Sequence, residues 1–318
     1  MSNPSINPSI NPSIIRPIPI WALRVAWAAL PIAAGPAVGA ALRDWSDAPR
    51  IAAEALLWLS WGIGLLATIA PRPPSLAALR TIAPAYLVLA IVVAVDGSPS
   101  TVAIVGVVVA TAITAGLAAG HDIALASANS TSYGDEIRVP LRTPPALFLG
   151  PIPLARLLVV AAVAAPVLLL AAEEWVWGAV TVVVGTALFA VLPSALYRLT
   201  RRWAVLVPAG FVIVDPMTLA DPVLFLREHI TALGAPPAGS PSAQSGPAAA
   251  GATDLRLGAS RGSVRLRLDG EVDITLAARG RRPAHTVQTE DLRIAAIRRD
   301  ELLALAGARR LPVAGARG

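Results

Sequence analysis

Six long apolar runs, separated by short polar stretches, occupy the first two-thirds of the chain. They are Pro17–Leu42, Ile51–Ala70, Leu76–Val95, Thr101–Gly120, Ile152–Ala172 and Trp175–Leu196. A helix of about 20 apolar residues crosses the ~30 Å hydrocarbon core of a bilayer, and only helices or closed barrels satisfy all backbone polar groups there. Barrel strands alternate apolar and polar residues, whereas a run such as Val159–Ala172 has no alternation. The pattern therefore predicts six transmembrane helices.

The first apolar run has an alternative interpretation as a cleaved signal peptide, because Gly39-Ala40-Ala41 supplies the small residues of a cleavage site. The run is longer than the apolar core of such peptides, so we expect it to remain as a helix. Pro31, Gly35 and Pro36 predict a kink in this helix, since proline removes a backbone donor.

After the sixth run the long apolar segments are replaced by short runs rich in strand-forming residues, the first two of which flank the turn signal Pro208-Ala209-Gly210. The candidate strands are Trp203–Val207, Phe211–Val214, Val223–Leu226, Asp254–Leu257 and Leu292–Ile297. Asp300–Arg310 begins with acidic residues and ends with arginines, which predicts a short packing helix. The expected fold class is an α-helical polytopic membrane bundle of about six transmembrane helices, followed by a small cytoplasmic β-rich α+β domain.

The segment Ser263–Leu276 has the clearest strand pattern, and Asp269-Gly270 in its middle favours a two-residue turn. That register would place Leu268 opposite Glu271 on one face. Because a slip of one residue exchanges the two faces of a strand, we predict an odd-residue loop or an equivalent bulge, which pairs Leu268 with Val272. The segment is therefore expected to be a hairpin.

Two segments have no pattern that would allow them to pack. The first residues repeat Asn-Pro-Ser-Ile three times, and a proline at every fourth position forbids a helix. Residues 234–253 consist largely of Ala, Pro, Gly and Ser, which is typical of a flexible insertion. The predicted organisation is a disordered tail over 1–15, a transmembrane domain over 16–197 with a cytoplasmic loop at 120–151, and a cytoplasmic β-rich domain over 198–318.

The charge of the chain is concentrated in its last third. Residues 1–197 contain nine arginines and nine acidic residues, whereas residues 198–318 contain 17 arginines and 11 acidic residues and account for the whole net charge of +6. All 26 basic residues are arginine, which together with the many Ala, Gly, Pro and Val residues suggests a GC-rich bacterial genome. Beside six membrane helices, the expected partner of the basic domain is the lipid bilayer and not nucleic acid.

Arginines at alternate helix ends predict the orientation, because cytoplasmic loops of membrane proteins are enriched in basic residues. One set of flanks carries Arg16, Arg72, Arg80, Arg138, Arg142, Arg156, Arg198, Arg201 and Arg202, and the other carries Arg43 and Arg50. Both termini are therefore expected in the cytoplasm, and the protein is expected to be a multi-pass protein of a bacterial cytoplasmic (plasma) membrane.

The residues of common catalytic and metal sites are missing from the sequence. The chain has no cysteine, which excludes disulfides, thiolate catalysis and cysteine-bound zinc or iron–sulfur clusters. His121, His229 and His285 stand far apart, and neither a Gly-rich phosphate loop nor a Gly-x-Ser-x-Gly motif occurs. We therefore expect no enzyme activity, no cofactor and no metal.

Two groups of residues are candidate interaction sites. The loop at 120–151 is the longest connection between the helices, and such loops are often functional. Its candidate interaction residues are Tyr133, Gly134, Asp135, Glu136, Arg138 and Arg142. The second group is Arg198, Arg201 and Arg202, where anionic inner-leaflet lipids would attract basic residues by about 1 kcal/mol each. The alternative for both groups is that the loop charges are solvated and the arginines only set the topology.

Three stretches carry a resemblance to known proteins, namely Tyr133–Arg142, Arg201–Gly210 and Asp215–Phe225. Over most of residues 80–313 the chain resembles a group of uncharacterised actinobacterial multi-pass membrane proteins, which implies no particular activity. The order of short strands ending in a helix is also similar to bacterial PH-like domains, which implies binding or scaffolding. The insertion at 234–253 departs from a compact domain of that kind.

These observations favour a non-enzymatic scaffold or regulatory subunit that acts through its cytoplasmic loop and basic C-terminal domain on a protein partner. An alternative is a channel or carrier for an uncharged or lipidic solute, which would pass between helices rich in small residues and be sensitive to changes at Pro31 or Glu54. An intramembrane enzyme would need polar residues at one depth, whereas Glu54, Arg24 and Arg80 are expected to be anchors near helix ends.

Overall fold

The computed structural model describes residues 17–96, 99–236, 252–278, 280 and 282–314. The tail expected over 1–15 lies outside these residues, as does all but the ends of the insertion expected over 234–253.

Eight helices precede the C-terminal domain in the described chain. They are α1 (Pro17–Ala41), α2 (Asp47–Ile69), α3 (Pro73–Asp96), α4 (Thr101–Ala119), α5 (His121–Asn129), α6 (Pro145–Phe148), α7 (Pro151–Ala171) and α8 (Trp175–Thr200). All but α5 and α6 are long and apolar enough to cross a membrane, so the prediction of six such helices is confirmed. Helix α1 packs against α2 and α4, α3 packs against α2 and α4, and the α7–α8 hairpin packs against α2 and α3.

Pro31 interrupts the hydrogen bonding of α1, and a tryptophan of α2 compensates for the loss. Because proline has no N–H, the carbonyl of Trp27 one turn earlier has no intrahelical donor. The indole Nε1–H of Trp61 donates to that carbonyl at 2.9 Å, and the indole of Trp27 donates to the carbonyl of Trp61 at 2.9 Å. Gly64 makes room for the buried Trp27, since a Cβ there would lie 1.8 Å from a ring carbon. The two indole hydrogen bonds and the close packing at Gly64 hold α1 against α2 up to the level of Pro31.

A proline of α7 also stands beside a close helix contact. Pro166 deprives the carbonyl of Ala162 of its intrahelical donor. Gly185 of α8 lies against this carbonyl, because a Cβ at Gly185 would be only 2.6 Å from its oxygen. The missing side chain lets the backbone of α8 approach the oxygen, as small residues do at helix contacts in membranes.

Arginines on α1 and α3 cap the C-terminal ends of the helices that follow. Arg24 donates to the carbonyl of Thr68 in α2 at 3.1 Å and to the next carbonyl at 3.3 Å. Arg80 donates to the carbonyl of Ala118 in α4 at 3.4 Å and to the next carbonyl at 3.3 Å. Carbonyls of the last turn lack intrahelical donors, and the helix dipole favours a cation there. Each arginine therefore fastens one helical hairpin.

Among the residues that the structure describes, eight strands and one helix form the β-rich region. They are β1 (Ile137–Pro140), β2 (Trp203–Val207), β3 (Gly210–Val214), β4 (Val223–Leu226), β5 (Ile230–Gly234), β6 (Ala252–Asp254), β7 (Ser263–Leu276), β8 (His285–Ala295) and α9 (Arg299–Ala308). One sheet has the strand order β1-β2-β3-β4, and the other has the order β5-β7-β8-β6 with β6 parallel to β8. The sheets and α9 share one core, which includes Leu206, Phe211, Leu266, Ile294 and Leu302. The expected strands at 203–207, 211–214 and 223–226 and the expected final helix are confirmed.

The hairpin expected within Ser263–Leu276 is wrong, because this segment is one continuous strand. It pairs antiparallel with β8 on both sides of an irregularity, with Arg267 opposite Asp291 and Val272 opposite Thr289. Strand β7 advances five positions there while β8 advances two, so three extra residues bulge within the strand where a chain reversal was predicted. Both halves keep their apolar side chains in the core, as shown by Leu266 and Ile274, which are 0% and 1% exposed.

The strand expected at Asp254–Leu257 is also displaced. Strand β6 ends at Asp254, and the chain then turns because Arg256 donates its backbone N–H to the Asp254 carboxylate at 2.9 Å. A local side-chain acceptor of this kind competes with the sheet for backbone donors. The last strand, β8, begins at His285 and so is longer than the expected Leu292–Ile297.

We expect Trp61→Phe to lower the free energy of unfolding by about 1–3 kcal/mol, because the Trp27 carbonyl then has no donor inside the bundle. Thermal unfolding of the protein in detergent measures this loss. Trp58→Phe is the matched control, since Trp58 lies on the same helix and is 59% exposed. In a Pro31→Ala background, which restores a backbone N–H, Trp61→Phe should cost much less. An equal cost in both backgrounds would contradict this explanation.

Candidate functional site

The loop between α4 and α7 is part of the β-rich domain. Its strand β1 pairs with β2, and the register sets Ile137 opposite Leu206. Directly after β1, the backbone N–H of Arg142 donates to the carbonyl of Ala295 in the second sheet at 2.8 Å. The expected interaction loop therefore supplies an edge strand that contacts both sheets.

Two of the charged residues predicted for interaction are engaged within the loop. The guanidinium of Arg138 donates to the Glu136 carboxylate at 2.5 Å and lies 4.8 Å from the ring centre of Trp203. The side chain of Asn129, at the end of α5, accepts from the backbone N–H of Arg138 at 2.9 Å and donates to its carbonyl at 2.8 Å. These contacts hold the start of β1 against α5.

The tip of the loop, Tyr133–Asp135, is open to solvent. Tyr133 is 91% exposed, and Gly134 adopts a left-handed φ of +60°, which favours glycine. Arg309 of the domain donates to the backbone carbonyl of Asp135 and, at 2.8 Å, to the carbonyl of Leu206. The tip is thus an exposed aromatic residue on a backbone that the domain holds in place.

Arg202 does not fulfil the expectation that it contacts the inner leaflet. Its guanidinium forms two hydrogen bonds of 2.8 Å with the Asp215 carboxylate, and the two side chains are 2% and 0% exposed. A third bond of 2.8 Å goes to the carbonyl of Arg142. Buried charges are paired in this way because an isolated charge in the interior is costly. Arg202 is therefore a structural residue.

Arg198 and Arg201 occupy a different environment, at the junction of α8 and the domain. Both are exposed and line a cavity of about 380 Å³, together with Tyr197 and Ser194 on the same helix end. Arg201 lies 5.8 Å from the ring centre of Tyr197. Within the described part of the chain, neither guanidinium forms a hydrogen bond or an ion pair. Two cations beside hydroxyl groups form a site that suits an anion such as a phosphate group.

A second junction joins α5 to the domain through an ion pair between Arg298 and Asp122. Arg298 also donates to the Glu301 carboxylate at 3.0 Å. Burial lowers the pKa of the neighbouring His121, and the charges of Arg142 and other arginines act in the same direction. His121 is therefore neutral at pH 7, and the charged contact at this junction is the ion pair.

The sequence did not predict the acidic partners of Arg298 and Arg202, or the contact by which Arg309 holds the loop tip. Asp122, Asp215 and Arg309 carry the contacts just described, yet each lies far along the chain from most of its partners or in a segment without a motif. The one available signal is Asp215, which directly follows a strongly apolar strand and so stands where a buried side chain is expected.

A comparison with protein-family models, curated proteins and solved structures finds no match to this chain. No group of three or more His, Asp or Glu side chains that could hold a metal ion occurs among the residues that the structure describes.

We expect Arg202→Met to destabilise the β-rich domain by about 3–5 kcal/mol, because it leaves the Asp215 carboxyl group buried without its cation. The double variant Arg202→Met/Asp215→Leu should recover most of the loss, since replacing a whole buried ion pair is often close to neutral. Hydrogen exchange of β2 and β3 in the full-length protein measures both effects. Arg201→Met is the control and should change stability by less than about 0.5 kcal/mol. A double variant as unstable as Arg202→Met would contradict the assignment.

Proposed function

We propose that this protein is a non-enzymatic membrane scaffold or regulatory subunit. Its cytoplasmic domain binds an anionic headgroup of the inner leaflet at Arg198 and Arg201 and presents the tip Tyr133–Asp135 to a protein partner. The observation that carries this proposal is the contrast between Arg202, which Asp215 neutralises inside the domain, and its two neighbours, which face an open cavity. A headgroup phosphate is the anion that lies nearest to the end of a membrane helix.

The proposal includes a PH-like arrangement of the domain and membership of the actinobacterial group that the sequence resembles. Two four-stranded sheets with a common core and a C-terminal helix support a PH-like arrangement. Strand β1 departs from a simple PH-like arrangement, because it lies in the loop between the membrane helices α4 and α7. We place the protein in a bacterial cytoplasmic membrane with both termini inside, which the distribution of arginines supports.

Lipid binding tests the first part of the proposal. Full-length protein in nanodiscs that contain zwitterionic lipid and phosphatidylglycerol should retain phosphatidylglycerol preferentially, as native mass spectrometry measures. Arg198→Gln/Arg201→Gln should weaken this retention by about tenfold or more, because each arginine contributes about 1 kcal/mol near an anionic surface. Arg261→Gln/Arg310→Gln removes the same charge from exposed positions elsewhere in the domain. An equal loss in this control would contradict a defined headgroup site.

Site-specific cross-linking tests the second part. A photoreactive phenylalanine at Tyr133, in native membranes, should give a discrete cross-linked protein, because this side chain is 91% exposed on a fixed backbone. The same group at Leu224, which is 48% exposed on β4, is the control. Asp135→Asn should weaken the product by removing the charge of the tip, and it keeps the backbone carbonyl to which Arg309 donates. Identical products from positions 133 and 224, or no effect of the charge removal, would contradict recognition by the tip.

A further inference from the structure

A cleft opens between α1 and α2 in the half of the bundle that lies away from the cytoplasmic domain. Its volume is about 240 Å³, and Tyr86, Leu89 and Val107 of α3 and α4 form its floor. The α1 wall extends from Leu30 to Leu42, which is about 18 Å of helix. The cleft is therefore long and narrow, and its length suits an extended hydrocarbon chain.

The cleft begins where the contact between Trp27 and Trp61 ends. Beyond Pro31, the wall of α1 contains Gly35 and Gly39, and a Cβ built on either glycine would meet no atom within 4 Å. Both glycines are exposed at the side of the bundle. The two helices are thus tied together before Pro31 and separate after it, which leaves a lateral opening towards the bilayer.

One polar group of the cleft has no partner among the residues that the structure describes. The hydroxyl groups of Tyr86 and Ser60 share a hydrogen bond of 2.7 Å, and Thr111 donates to a carbonyl of its own helix at 2.7 Å. Glu54 makes neither a hydrogen bond nor an ion pair in the described chain. It lies about 10 Å along α2 from the first residue, Asp47, within a helix long enough to span the membrane. Glu54 is exposed and lines the cleft, so a ligand there can reach its carboxyl group, and an ionisable residue within a membrane segment is a candidate functional group.

We propose that this cleft binds a lipidic amphiphile. One hydrocarbon chain of the ligand lies along α1, and a hydroxyl or amino group at its head donates a hydrogen bond to Glu54. The apolar wall matches the chain, and the single carboxyl group supplies the acceptor that a polar head requires inside the membrane. A metal ion or a hydrated ion would need several polar ligands at one place, whereas Leu30, Val38 and Leu57 form the surrounding wall.

This inference is independent of the scaffold function, because the cleft and the arginine cavity lie at opposite ends of the bundle and share no residue. For the alternative function, a channel or carrier for a lipidic solute, it supplies a defined binding site and a chemical class of ligand. Variants at Arg198 and Arg201 should leave binding in the cleft unchanged, so the two proposals can fail separately.

Photolabelling of the full-length protein in nanodiscs tests the site. The probe is a long-chain alcohol with a mid-chain diazirine, and peptide mass spectrometry locates the label. We expect label on the stretch Leu57–Trp61 of α2 and on the facing wall of α1. Gly35→Leu/Gly39→Leu should reduce this label by about tenfold or more, because the two side chains occupy the space of several methylene groups of the probe.

Gly62→Leu is the matched control, since a Cβ at Gly62 also meets no atom within 4 Å but the residue does not line the cleft. It should leave the labelling of Leu57–Trp61 unchanged. Equal labelling of this stretch in the native protein and in the filled variant would overturn the site. So would label spread evenly over the exposed faces of α7 and α8.

Glu54→Gln tests the head group without filling the cleft. In the native protein the alcohol should label the site several times more strongly than a fatty acid with the same chain and diazirine, since Glu54 accepts a hydrogen bond and repels a carboxylate. In Glu54→Gln this preference should fall, because the amide still accepts a hydrogen bond from the alcohol but has no charge to repel the carboxylate. A preference that persists unchanged, or no preference in the native protein, would overturn the role of Glu54.

Discussion

Every backbone carbonyl inside a bilayer needs a donor from the protein, and proline removes donors. Prolines interrupt α1, α3, α7 and α8 of this protein. At Pro31 the indole of Trp61 replaces the missing donor. At Pro166 the carbonyl of Ala162 has lost its donor, and the backbone of α8 approaches it closely at Gly185. These contacts mark where α1 approaches α2 and where α7 approaches α8. Where α1 continues beyond Pro31 with glycines facing α2, the helices separate, and the cleft beside Glu54 is the result.

The β-rich domain depends on the same bundle, because the α7–α8 hairpin separates two of its neighbouring strands. Ile137–Pro140 precedes the hairpin and Trp203–Val207 follows it, yet the two strands pair in register. Their pairing requires both ends of the hairpin to lie on one side of the membrane. The first sheet therefore joins the chain before the hairpin to the chain after it. A fragment that begins after α8 would lack the edge strand and the bond from Arg142 to Ala295.

The membrane helices could be predicted from the sequence because the bilayer imposes a length and an apolar composition that few other structures need. Strand Ile137–Pro140 could not, since four residues are too few to establish a period and their partner lies beyond two membrane helices. The prediction of a hairpin within Ser263–Leu276 was wrong because a local turn signal was considered without the long partner strand, opposite which three extra residues of this segment form a bulge. Nothing in the sequence distinguishes Arg202 from its neighbours Arg198 and Arg201. In the structure Arg202 differs from them because Asp215 pairs with it.

Arginine performs three physical tasks in a chain that contains no lysine. Its several donors cap helix ends at Arg24 and Arg80, hold buried acceptors at Arg202 and Arg309, and remain available at Arg198 and Arg201. Several arginines that predicted the orientation are therefore neutralised or engaged in the folded protein. This does not weaken the prediction, because loop charge sets the orientation during insertion, before tertiary contacts such as the bond from Arg202 to Asp215 exist. The same residues thus contribute to topology first and to packing or binding afterwards.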